Sequence, residues 1–199
     1  MTALPAAAPL AAVAQNMPSL PEMPPPPGRN ALFEQVLEDA SAEERIELAT
    51  TYYATDKCAV SDDPDGCFMD GYQTCLANLG DRAELACMTA HAMGWEGTMN
   101  VRSSEMAFAV LDAQDRSPKR AEGDAFDDAV DDYFEEQSAL IRTANGECDA
   151  KGRMMSGDEA LVAMMRCHAE RKFAIFMQLE DLIQPLQDML AQAGMEAIP

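Results

Sequence analysis

The six cysteines are the residues of this chain best placed to do chemistry, and that chemistry is oxidative cross-linking. Cys58, Cys67, Cys75 and Cys87 fall in one stretch, and Cys148 and Cys167 follow after a gap. An even number of cysteines in a helical chain of 199 residues reads as a disulfide framework, and disulfides persist in oxidising compartments. Cys148 and Cys167 bracket a glycine-containing segment, and a bridge of that span contributes about 3 kcal/mol in the chain-entropy model. For the upstream four, pairing of neighbours (Cys58 with Cys67, Cys75 with Cys87) is one option that spacing alone cannot select.

Other chemistries fit the spacing poorly. Cys87 and His91 share a helical face, but zinc sites use tight Cys-x2-4-Cys pairs. Here the upstream cysteines are separated by eight, seven and eleven residues, so no metal site is expected. The acidic run Asp62-Asp63-Pro64-Asp65-Gly66 resembles a calcium loop only in composition. Aligning Gly66 with the loop glycine puts Ser61 first and Tyr72 where a bidentate glutamate belongs. No Gly-x-Ser-x-Gly elbow, His-Glu-x-x-His pair or phosphate-binding glycine loop occurs. No cofactor is implied, and the chain does not read as an enzyme. His91 and His168 fall on or near apolar stripes, where a hydrogen-bonded core histidine is the expected role.

The formal charge of -21 argues against nucleic acid, whose phosphates require Lys and Arg, and against anionic membrane surfaces. It suits attraction to a basic protein partner. No run of about 18 apolar residues is present, so no membrane span is expected. The carboxylate pairs Asp127-Asp128, Asp131-Asp132 and Glu135-Glu136 recur opposite Phe126, Val130, Phe134 and Ile141. That pattern is the polar side of an amphipathic helix. It is solvated by default and offers a docking surface for a cationic partner.

The elements that position these residues read as helices. Ala, Leu and Met are plentiful, Val and Ile sparse, and no stretch alternates with a period of two. Residues 1–29 are rich in Pro and Ala and end in Pro24-Pro25-Pro26-Pro27-Gly28. They read as a leader and linker: Ala12-Val13-Ala14 fits a secretory cleavage site, with a disordered tail as the other reading. Residues 30–199 are expected to form a single helical domain. Asn30 is expected to cap a first helix, and Ser41-Ala42-Glu43-Glu44 is a capping box for a second. A short helix ends at Gly80. A long helix follows from Asp81 to about Asp112 on the stripe Met88, Ala92, Trp95, Met99, Met106, Phe108 and Leu111, with Gly94 and Gly97 marking a bend or a close helix contact. Residues 115–123 form a turn around Pro118. The next helix is expected to end near Asn145-Gly146. Ser156 and Glu159 suggest a second capping box before a last helix, which Pro185 should kink or break. The fold class is all-α, a disulfide-stabilised bundle of about five or six helices.

The segment from Cys87 through Trp95, Glu96 and Met99 to Asn100 resembles the cysteine, tryptophan and asparagine helix of the LprI-like family of lysozyme inhibitors. In that family a glutamine stands eleven residues before another cysteine, matching Gln137 and Cys148. A last helix headed by a cysteine with a nearby arginine matches Cys167 and Arg171. The resemblance covers about residues 75–179 and departs at Ser103, Leu140 and Ala144, where the family carries other residues. It implies a small, helical, disulfide-stabilised protein that is periplasmic or secreted. It also implies binding to a cationic cell-wall hydrolase such as lysozyme. The competing expectation is a structural, envelope-associated protein whose acidity serves solubility alone.

Overall fold

The computed structural model describes residues 28–116 and 124–192. The expected leader through Pro27 and the turn around Pro118 lie outside these residues. Within them the chain forms α1 (Arg29–Asp39), α2 (Ala42–Ala59), the single turn α3 (Pro64–Cys67), α4 (Asp70–Leu79), a 3-10 turn (Asp81–Ala83), α5 (Glu84–Arg116), α6 (Asp124–Met154) and α7 (Asp158–Gln192). No strand occurs among the described residues. The fold is an all-α, disulfide-stabilised bundle, with six helices if the single turn α3 is set aside.

Local signals set several of the helix boundaries. Ser41 accepts from the Glu44 amide while the Glu44 carboxylate accepts from the Ser41 amide, the expected capping box of α2. Asp63 caps α3 by accepting from the Gly66 amide. Gly80 (φ 80°) ends α4 in the left-handed region that only glycine enters at little cost. Two starts differ from expectation. α1 begins at Arg29 with Gly28 as its cap, so Asn30 lies inside the helix. α7 begins at Asp158, because Gly157 (φ 78°) turns the chain there and its carbonyl accepts from Ala160 and Leu161. The helix thus starts one residue later than a Ser156 cap would set it.

Two helices run past their expected stops. α6 continues through Gly146 and Gly152 to Met154. Each glycine costs about 1 kcal/mol relative to Ala, but fully buried Cys148 lies between them. Gly152 also gives room to Met164, whose Sδ stands 2.8 Å from where a Cβ would project. α7 continues through exposed Pro185 to Gln192. An interior proline costs about 3 kcal/mol. Beyond it Leu186 and Leu190 are 2% and 0% exposed, and burial contributes roughly 1.5–3 kcal/mol for each such side chain. Packing outweighs propensity in both helices.

Two apolar clusters share α5 and α7 as their long members. The first gathers Leu32, Leu48, Tyr72, Met88, Trp95 and Met165 from α1, α2, α4, α5 and α7. The second gathers Met99, Met106, Tyr133, Leu179, Ile183 and Leu190 from α5, α6 and α7. α2 packs against α5: Tyr52 and Thr55 meet Gly94, and the Thr55 and Thr98 hydroxyls share a hydrogen bond of 2.9 Å. Of the two expected readings of Gly94 and Gly97, a bend or a close helix contact, the contact is present. The stripe of α5 is not continuous, however, because Phe108 is 71% exposed and Leu111 is also exposed. α2 ends at Ala59, so it gives no cover to the distal part of α5.

Candidate partner-binding surface

Three disulfides clasp the bundle. Cys58–Cys67 ties the end of α2 to α3, Cys75–Cys87 ties α4 to α5, and Cys148–Cys167 ties α6 to α7. The Cα separations of 5.7, 5.8 and 5.4 Å lie inside the range a bridge can span. The four upstream cysteines thus adopt the neighbour pairing, and none of the cysteines is free. Among the described residues no group of three or more His, Cys, Asp or Glu side chains is placed to hold a metal ion. Asp63 of the acidic run serves as a helix cap.

Trp95, fully buried on α5, centres an aromatic group of Phe68, His91, Phe173 and Phe176. Its Nε1–H donates to the Phe68 carbonyl at 3.4 Å, so the Cys58–Cys67 clasp and α5 are coupled through Phe68. His91 packs on Phe68 and Tyr72. Contrary to expectation it is not hydrogen-bonded, for both ring nitrogens are buried without a partner. Burial, reinforced by the nearby Arg166 cation, pushes its pKa down to about 4. His91 therefore favours the neutral form inside the aromatic box. Outside this box, Arg166 lies over the Tyr72 ring and pairs with Glu84 at 3.8 Å.

A chain of polar groups crosses the bundle from α1 to α6. Arg29 at the start of α1 pairs with Glu96 at 3.1 Å. Lys172, only 1% exposed, donates to Asn145 Oδ1 at 3.0 Å. His168 meets the Asp149 carboxylate at 3.0 Å, the hydrogen-bonded core role expected of it. Burial lowers the Lys172 pKa, with the Glu96 carboxylate opposing that shift. Burial also lowers the pKa of His168, and the Asp149 contact acts against it. No motif or spacing in the sequence marks Arg29 or Asn145 as part of this chain of polar groups. A signal existed for Lys172, which stands four residues after His168 and three before Ile175 on the buried stripe of α7.

Of the residues singled out by family resemblance, Trp95 and Gln137 are buried, whereas Asn100 and Arg171 are exposed. The Gln137 amide donates to the Ser103 hydroxyl, joining α6 to α5. Arg171 pairs with Glu147 at 2.6 Å on the outside of the α6–α7 seam. No family model, curated protein or solved structure matches the chain.

The acidic face of α6 points outward. Asp128, Asp131, Asp132, Glu135 and Glu136 are exposed, and the Asp127 side chain lies outside the described residues. The opposite line of Tyr133, Gln137, Ala144 and Cys148 is buried. Phe134, placed by the sequence on the apolar stripe, is instead 40% exposed at its edge, because Tyr133 fills the inward position. The result is a carboxylate-covered helix face whose other side is fixed to α7 by a disulfide. No described helix is long and apolar enough to cross a membrane. The three bridges fit an oxidising compartment.

Proposed function

We propose that this is an exported, acidic protein that binds a cationic protein partner, with a lysozyme-type cell-wall hydrolase as the candidate. The observation that carries the reading is the outward row Asp128, Asp131, Asp132, Glu135 and Glu136 on a helix held by Cys148–Cys167. A fixed row of carboxylates steers a basic partner without first having to be ordered. The charge of -21 over the whole chain extends that attraction. The residue resemblance around Cys87–Asn100 and Gln137–Cys148 supplies the choice of hydrolase, and the disulfides are consistent with export.

The test is peptidoglycan turnover by a c-type lysozyme with the oxidised protein added, at low and at physiological salt. Stoichiometric inhibition at physiological salt supports the reading. Absence of inhibition, or its loss at modest salt, refutes lysozyme as the partner and favours a structural envelope protein.

A further inference from the structure

A second candidate for recognition lies away from the acidic face of α6. A cavity of about 400 Å³ opens where α1, α2, the end of α4, the start of α5 and the start of α7 converge. Its lining is apolar on one side, with Val36 from α1, Ala40 just after α1, Leu48 from α2, Leu79 from α4, and Leu85 and Ala86 from α5, and charged on the other. Its rim carries the carboxylates of Asp39, Glu44 and Asp158 and the guanidinium of Arg82, while the Arg45 guanidinium beside it is held by the Ala40 and Glu38 carbonyls. Glu44 is committed to the Ser41 capping box. Asp39 and Asp158 are exposed and form no ion pair among the described residues.

We infer that this groove receives a long cationic side chain, arginine or lysine, from a protein partner. Such side chains lay an aliphatic stem along apolar surface and hold the charged head at its edge. The volume falls within the range of small-ligand clefts. The excess of rim carboxylates over Arg82 selects a cation over a neutral or anionic group of equal length. A second copy of this chain is the less suitable source, because two molecules of charge -21 repel. The inference deepens the proposed function by giving the basic partner an anchor point. It specifies the chemistry of one side chain, so its test does not require the partner to be lysozyme.

The test uses n-butylguanidinium as the side-chain probe, with n-butanol and butyrate as comparators, titrated into the oxidised, isotopically labelled full chain and followed by NMR. The expected result is a saturable shift confined to Val36, Ala40, Leu48, Leu79 and Leu85, at least about tenfold tighter than n-butanol, with no butyrate binding. Asp39→Asn with Asp158→Asn should weaken n-butylguanidinium about tenfold and leave n-butanol unchanged. Because rim changes leave the walls intact, a second variant, Ala86→Met, should fill the groove and abolish both shifts. Equal binding of n-butanol and n-butylguanidinium overturns the inference, as does a guanidinium response spread over the carboxylates of α6. Probe binding without lysozyme inhibition leaves the groove assigned and removes only lysozyme. Inhibition without probe binding keeps the proposed function and removes the groove.

Discussion

His168 and Asp149 are each the residue after a cysteine of the Cys148–Cys167 bridge, and their side chains meet at 3.0 Å. The α6–α7 seam is thus clasped covalently and, one residue later on both helices, by a polar contact. The two clasps differ in kind. The bridge acts mainly by restricting the unfolded chain, whereas the polar contact exists only in the folded state.

Removing the clasps one at a time should separate these effects. Cys148→Ser with Cys167→Ser should cost about 3 kcal/mol, because the crosslinked span is 19 residues. Asp149→Ala should cost about 1 kcal/mol, a typical hydrogen-bond contribution, because its partner His168 is 1% exposed. Urea denaturation followed by the fluorescence of Trp95, the single tryptophan, measures both. Equal losses for the two variants would mean that the bridge adds nothing beyond local contact.

Two glycines in long helices should respond oppositely to alanine. A Cβ on Gly94 would stand 2.5 Å from the Tyr52 carbonyl oxygen and 2.9 Å from the Thr55 side chain. Backbone cannot yield cheaply, so Gly94→Ala should destabilise by about 1–3 kcal/mol. A Cβ on Gly146 meets nothing within 4 Å. Gly146→Ala should therefore stabilise α6 by about 0.5–1 kcal/mol, the helix propensity difference. Paired thermal melts check both signs in one experiment.

The buried imidazole of His91 makes stability depend on pH. Its ordinary value is 6.5, and in the folded state it is pushed down to about 4. Between those values the unfolded chain binds the proton more readily. Stability from this group is therefore level above pH 6.5 and falls as pH drops toward 4, by on the order of 3 kcal/mol in all. His168, also lowered by burial, acts in the same direction. His91→Leu should flatten the curve relative to the parent chain, with the difference confined to that window. Urea midpoints measured from pH 7 to pH 4 for both proteins give the result.

Much of this fold is written in local signals, and the departures occur where packing overrides them. Ser41 and Glu44 announced a capping box, and the structure has it. Gly94 and Gly97 announced a close contact, and Tyr52 fills it. Gly146 and Pro185 announced helix ends that do not occur, because Cys148, Leu186 and Leu190 are buried just beyond them. Helix periodicity also placed Phe134 inward, though Tyr133 takes that position. The apolar groove was not legible, since its walls come from segments as distant as Val36 and Leu85. The pairing of Arg29 with Glu96, 67 residues apart, was hidden for the same reason.

Under the proposed function, neutralising the acidic face of α6 should separate steering of a basic partner from its anchoring. Asp131→Asn, Asp132→Asn, Glu135→Gln and Glu136→Gln together alter exposed side chains only, so stability should change by less than about 0.5 kcal/mol per site. Association with a basic partner should slow about tenfold at low salt, and the difference should vanish as salt shortens the Debye length to about 3 Å at 1 M. Dissociation should be nearly unchanged, because exposed rim charges act on encounter more than on the formed complex. Asp39→Asn with Asp158→Asn, at the mouth of the groove, should instead speed dissociation. Stopped-flow association and surface-binding dissociation rates, taken at two salt concentrations, distinguish the two roles. A faster dissociation from the α6 variant would make that face a contact surface as well as a steering one.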